Sequence, residues 1–126
     1  MLLKTNRRIE MVDITSQVAE IVRATGINEG ICTVYCPHTT AGLTINEHAD
    51  PDVAFDISNR LSKLVPYNDN YTHIEGNADA HIKATLTGSS VQLIVNNGNI
   101  LLGTWQGIFF CEYDGPRQRR IWLQVK

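Results

Sequence analysis

The sequence predicts an α+β fold, a largely antiparallel sheet covered by helices, as one domain over residues 1–126. Three observations lead to it. The 126 residues, 43% hydrophobic and 19% charged, are enough for one ordinary core and too few for two. Short segments rich in β-branched and aromatic residues outnumber segments with a helical apolar period. Two tight-turn signals, Asn97-Gly98 and Asp114-Gly115-Pro116, join the later strands and favour antiparallel neighbours.

Taken in order, Lys4 to Val12 reads as a strand. Asp13-Ile14-Thr15-Ser16 supplies capping oxygens for a helix. Ile14, Val18, Ile21 and Val22 give that helix one apolar face, and Gly26 ends it. Gly30 to Cys36 and Ala41 to Asn46 read as strands. Asp50-Pro51-Asp52 starts a second helix, because Asp50 can cap, Pro51 suits the first turn and Asp52 complements the dipole. Val53, Ile57, Leu61 and Leu64 form its expected buried stripe, and Pro66 closes it. Tyr67 to Gly76 is a polar loop long enough to suggest function. A short helix over Ala78 to Leu86 is expected to be capped by Asn77 and ended by Gly88. Ser90 to Val95, Leu102 to Glu112 and Arg119 to Val125 read as the last strands. In the last of these Ile121, Leu123 and Val125 share one face and Trp122 takes the other. The predicted order is β-α-β-β-α-α-β-β-β.

No apolar run approaches the ~20 residues needed to span a bilayer. The N-terminal Arg7-Arg8 is followed by no secretory apolar stretch. The expectation is a cytoplasmic protein without a membrane partner. A net charge of −2 gives no reason to expect a nucleic-acid partner. From Glu47 to His81 seven acids face two bases, whereas residues 117–126 hold Arg117, Arg119, Arg120 and Lys126 and no acid. An acidic middle suits a cation and a basic end suits an anion, although solvated surface of both signs explains either run. Three cysteines, Cys32, Cys36 and Cys111, form no disulfide or zinc-finger pattern and read as buried, inert thiols.

Chemistry concentrates around three of the four histidines. His38 follows a strand in Cys36-Pro37-His38-Thr39-Thr40, beside two hydroxyls and a Gly42 that permits close backbone approach. The alternative is a hydrogen-bonded surface histidine. His73 lies in the polar loop and His81 on the short helix, a separation compatible with one shared ion but matching no named zinc motif. Asp79 can orient an imidazole or act as general base. Glu47, in Asn46-Glu47 at a strand end, can ligate a metal, act as base or cap the next helix. His48 is set aside, because neighbours in sequence often face different directions. Arg117-x-Arg119-Arg120 can clamp an oxyanion or serve as a basic edge strand.

The ordered motifs are familiar together. His38-Thr39-Thr40-Ala41-Gly42-Leu43-Thr44-Ile45-Asn46-Glu47 with Asp50-Pro51 resembles the signature of the YjbQ-like family, the secondary thiamine-phosphate synthase enzymes. Gly76-Asn77-Ala78-Asp79-Ala80-His81-Ile82-Lys83, Gly103-Thr104-Trp105-Gln106 and Asp114-Gly115-Pro116-Arg117-x-Arg119 agree with it. The resemblance spans nearly the whole chain. It implies the small α+β YjbQ-like fold and a homotrimer with sites near subunit boundaries. It also implies a histidine-bound metal and a weak activity joining hydroxymethylpyrimidine diphosphate to thiazole phosphate with release of diphosphate.

That activity asks for charge neutralisation at the departing diphosphate, alignment of the two rings, and exclusion of water. Under this reading His38, His73 and His81 hold a divalent ion. Imidazole ligands favour zinc over magnesium. Glu47 and Asp79 are the catalytic carboxylates. Asn46, Lys83, Thr104, Gln106, Arg117 and Arg119 contact the phosphorylated substrate, with Trp105 or Tyr71 beside its rings. Two other readings use the same residues: hydrolysis of a small phosphorylated metabolite by metal-bound water, and a non-enzymatic trimer that binds a metal or ligand.

Overall fold

A computed structural model describes all 126 residues. It contains nine strands and three helices: β1 (Leu2–Lys4), β2 (Glu10–Asp13), α1 (Thr15–Ala24), β3 (Gly30–Tyr35), β4 (Ala41–Glu47), α2 (Pro51–Leu64), α3 (Ala78–Thr87), β5 (Ser90–Asn96), β6 (Asn99–Ile100), β7 (Gln106–Glu112), β8 (Gln118–Arg120) and β9 (Trp122–Val125). Every strand pairing is antiparallel. No helix is long and apolar enough to cross a membrane.

The sheet layers follow from β7. Its sequence, Gln-Gly-Ile-Phe-Phe-Cys-Glu, is a nearly continuous apolar run buried from Gly107 onward, the mark of a strand covered on both faces. Ile108 and Phe110 point into the main core with Ile14, Val18 and Val22 of α1, Cys32 and Val34 of β3, and Leu93 and Val95 of β5. Phe109, Cys111 and Tyr113 point the other way and pack with Ala80, Ala84, Ala54 and Leu61 of the later helices. The central sheet β2-β7-β4 therefore lies between the sheet β6-β5-β3-β9 on one side and α2 with α3 on the other. The ribbon β1-β8 is the third sheet. All three cysteines are free and buried. Burial pushes the Cys111 thiol up to about 12, so it is inert as expected.

Local signals act largely as predicted. Asp50 Oδ1 accepts from the Asp52 N–H at 2.9 Å, and Pro51 opens α2. Asp13 Oδ1 accepts from the Thr15 N–H at 2.9 Å at the start of α1. Asn97 and Gly98 both have positive φ, as the turn from β5 to β6 requires.

Several boundaries differ from expectation. The strand expected over Lys4 to Val12 is two strands, because Thr5 turns into the interior and its hydroxyl bonds Glu112 and Arg117. The strand expected from Leu102 begins at Gln106, because the Gly103 N–H donates to Gln106 Oε1 and closes a turn. The final strand breaks at Ile121, whose N–H donates to the Met1 carbonyl. The expected stripe of α2 is not buried: Leu64 is 65% exposed, and no residue of the helix is fully covered. Asn77 does not cap α3; its Nδ2 donates to Asp114 Oδ2 instead.

Gly42 does provide a close approach. A Cβ there would fall 2.6 Å from the Gly88 carbonyl oxygen and 3.0 Å from Thr87 Cβ, where the end of α3 rests on β4. The Leu43 N–H donates to the same Gly88 oxygen at 3.0 Å. Gly42→Ala must therefore part the helix from the strand. We expect it to lower stability by about 1–3 kcal/mol in urea unfolding. An unchanged midpoint and slope would show that this contact is not tight.

Candidate histidine cleft

His38, Thr39, His81, Ala84, Thr85, Gly88 and Ser89 line a cleft of ≈ 450 Å³. One wall is the segment after β3, where Pro37 ends the regular strand. The other is the exposed face of α3 and its C-terminal turn. His73, on the preceding loop, does not line this cleft but meets His81 beside it. Its ring stands edge-on to His81, with centroids 5.3 Å apart and planes at 88°. His73 Nε2 is 3.7 Å from Glu75 Oε2.

His38 is fixed by backbone. The Arg120 N–H donates to His38 Nε2 at 2.9 Å. The Arg120 carbonyl lies 3.1 Å from the same nitrogen. An amide hydrogen cannot rotate away, so Nε2 is the acceptor and the ring proton sits on Nδ1. Burial, and then the positive Arg119, lower the affinity of His38 for a second proton, which keeps the ring neutral. With Nε2 occupied, His38 does not join His73 and His81 as a third ligand through that atom. No group of three or more His, Cys, Asp or Glu within the chain is arranged to hold a metal ion. The His73–His81 pair supplies at most two nitrogen donors, half of a tetrahedral set.

Three residues expected to meet substrate are committed to the interior. Asp79 is fully buried, its Oδ1 accepting from Arg8 Nη2 at 2.9 Å and its Oδ2 from Lys83 Nζ at 2.9 Å. Burial raises the Asp79 carboxyl, but the bonds from Arg8 and Lys83 outweigh it and hold the group below the usual carboxylate range. A carboxylate so stabilised is a poor general base. Lys83 is 1% exposed, so its ammonium does not face the cleft. Arg119 is also buried, with its guanidinium bonded to both carboxylate oxygens of Glu112 and to Thr40 Oγ1 at 2.9 Å. It is not an oxyanion clamp. Arg117 is half-exposed and donates to Asp114 Oδ2 at 3.0 Å.

The remaining expected residues stand elsewhere. Ala41 pairs with Glu112 and Glu47 with Gln106, at opposite ends of β4. Six strand steps separate them, about 20 Å. Asn46, Glu47, Thr104 and Gln106 thus cluster away from the histidine cleft of the same chain. Asn46 Oδ1 accepts from the Glu47 N–H, and Gln106 Oε1 is taken by the Gly103 turn.

Sequence reasoning missed Arg8, Glu112 and the pair formed by His48 with Asp13. Glu112 did carry a signal, since an acid ending an apolar central strand needs a buried cation. Arg8 carried none: its guanidinium lies 3.8 Å from the centre of the Tyr67 ring, a contact between segments far apart in sequence.

The lowered Asp79 pKa fixes a sign. Stabilisation from this carboxylate is present above its unfolded value and is lost as pH falls through the lower folded value. We expect the wild-type urea midpoint to fall on acidification below about pH 4. Asp79→Asn should be weaker at neutral pH and lose less on acidification. Equal acid slopes for the two proteins would contradict the ion-paired assignment.

The profile of the family described as "UPF0047 protein YjbQ-like" matches residues 1–126. A UPF0047 protein of Methanocaldococcus jannaschii is 54% identical over 98% of this chain and 89% of its own length. The UPF0047 protein YugU of Bacillus subtilis is 49% identical over 98% of this chain and 94% of its own. The crystal structure of a YjbQ/UPF0047 family protein from Clostridium acetobutylicum superposes with a TM-score of 0.98 at 51% identity, covering 100% of this chain and 98% of that one. A YbjQ-like protein from Sulfolobus solfataricus, at 38% identity, has a TM-score of 0.95 and covers 99% of this chain and 92% of its own. By profile, sequence and fold together, the chain belongs to the UPF0047 YjbQ-like family.

Proposed function

We propose that this protein is a metal-dependent enzyme acting on a small phosphorylated metabolite, with thiamine-phosphate synthesis its nearest named activity. The observation that carries the reading is the His73–His81 ring pair, 5.3 Å between centroids, beside the cleft that His81 shares with His38. Two imidazoles fit a transition metal such as zinc better than magnesium. Bound there, the ion would supply positive charge to a phosphate oxygen.

The chain's own groups have distinct tasks. His73 and His81 hold the ion. His38, neutral and protonated on Nδ1, donates a hydrogen bond to a substrate oxygen. The hydroxyls of Thr39, Thr85 and Ser89 line the phosphate region. Of the arginines near the C-terminus, Arg120 and the half-exposed Arg117 are left, since Arg119, like Lys83, is spent on a buried carboxylate. The protein acts as a homotrimer, and a neighbouring copy completes the coordination that two histidines leave open. Support comes from the exposed apolar side chains of α3 beside the cleft, Ile82 at 40% and Leu86 at 57%. Nucleic acid and membrane have no part in this reading.

Burial of Lys83 and Arg119 also favours a second reading, hydrolysis of a phosphate ester, which needs less neutralisation than the departure of diphosphate. One assay separates the two. Zinc-loaded protein is given hydroxymethylpyrimidine diphosphate with and without thiazole phosphate, and diphosphate and thiamine phosphate are measured. We expect coupled product only with both substrates, its loss with EDTA, and its fall to background in His73→Ala and His81→Ala proteins of unchanged circular dichroism. Diphosphate release independent of the thiazole favours hydrolysis. Retention of both zinc and activity by the two alanine variants would overturn the reading.

A further inference from the structure

A second cavity shares no residue with the histidine cleft. It is a groove of ≈ 620 Å³ between β2 and α2. The groove exists because α2 stands off the central sheet, with no residue of the helix fully buried. Met11 of β2, Phe109 of β7 and Phe55 of α2 give it an apolar wall. Phe55 is 67% exposed.

At one end lies an imidazole held in a fixed pose. His48 Nδ1 is 2.8 Å from Asp13 Oδ2. The other oxygen of Asp13 accepts from the Thr15 N–H at 2.9 Å and from Thr15 Oγ1 at 2.5 Å. Thr15 Oγ1 in turn accepts from the Ile108 N–H at 2.8 Å. The His48 ring rests against the bare face of Gly107, where a Cβ would fall 2.5 Å from Nδ1. The His48 N–H donates to the Trp105 carbonyl at 2.9 Å. Ring, partner and seat are thus each fixed by another part of the chain.

The orientation sets the chemistry. Burial raises Asp13, but its bonds with Thr15 and His48 prevail and hold the carboxyl below its usual range. An ionised carboxylate only accepts, so Nδ1 carries a proton, and the site open to a donor is the Nε2 lone pair of the singly protonated ring. The His48 side chain is 32% exposed, which leaves room for a partner. The charged lining comprises Asp13, Glu10, Asp50 and Arg7. Glu10 Oε2 accepts from the Asn6 N–H and Asp50 Oδ1 caps α2, and three acids against one arginine disfavour an anion.

We propose that this groove is a second ligand site, for a small uncharged molecule with a flat apolar body and a hydroxyl that donates to His48 Nε2. The body lies against Met11, Phe55 and Phe109, and the hydroxyl gives the orientation. An apolar pocket with a few convergent polar groups is the usual form of such a site.

Phenol is the simplest probe of that chemistry, and toluene is its counterpart without the donor. In NMR titrations of the full-length protein we expect phenol to shift His48, Met11 and Phe55 resonances saturably at millimolar concentration. Toluene should bind at least tenfold more weakly. His48→Leu should weaken phenol at least tenfold and leave toluene unchanged, and Phe55→Ala, at an exposed position, should weaken both. The inference is overturned if phenol shifts are scattered or unsaturable, as they would be if a second copy of the chain fills the groove. It is equally overturned if His48→Leu binds phenol as wild type does.

Discussion

The buried ion pair of Glu112 and Arg119 is the contact on which the rest of the molecule depends. Moving two such charges out of water costs several kcal/mol each, and mutual attraction repays this only when the remaining hydrogen-bonding capacity is also met. Here it is. Glu112 Oε1 accepts from Thr5 Oγ1 at 2.8 Å, and Oε2 accepts from the Tyr113 N–H at 3.2 Å. Arg119 also donates to Thr40 Oγ1. The pair thereby gathers four segments: the end of β7, the turn after β1, the chain entering β4, and β8. The last of these matters for the cleft, because Arg120 directly follows Arg119 and its N–H fixes the tautomer of His38.

A second buried carboxylate does the same for the opposite wall. Asp79 in the first turn of α3 binds Arg8 and Lys83, and Arg8 stacks on Tyr67 at the start of the loop that carries His73. His81 lies two residues beyond Asp79 on the same helix. The two walls are therefore positioned by separate ion pairs, and the charges that look most reactive in the sequence form the frame. The reactive groups are the imidazoles they hold. Losing one member of either pair strands a buried charge, which is more damaging than replacing both members with apolar groups.

How much of this was legible depended on the range of the interaction. Local chemistry was readable: Asp50-Pro51-Asp52 starts α2, Asn97-Gly98 turns, and Gly42 marks a close approach. The α+β class and the antiparallel pairing were readable from periodicity and turns. The location of His38 and His81 at a common cleft followed from motifs in order along the chain. The partners of Asp79, Lys83 and Arg119 were not readable, because a charge in a motif looks the same whether it meets solvent, substrate or a counter-ion. The contact of Arg8 with Asp79 spans 71 positions and leaves no local pattern. The stripe of α2 misled for a related reason: period 3.6 identifies an apolar face but not whether this chain alone covers it. His48 was passed over as a mere neighbour of Glu47; it lies just past the end of β4, and its partner Asp13 is 35 positions away.

The central claim is that the Glu112–Arg119 pair, acting through Arg120, holds His38 as a neutral imidazole protonated on Nδ1. Long-range proton–nitrogen correlation spectra of the histidine rings test it directly, on the wild type and on a Glu112→Leu/Arg119→Met double variant that leaves no unpaired buried charge. The account predicts a single tautomer with the proton on Nδ1 of His38 in the wild type, and loss of that preference in the double variant. A wild-type His38 protonated on Nε2, or the same pure tautomer in both proteins, would contradict it.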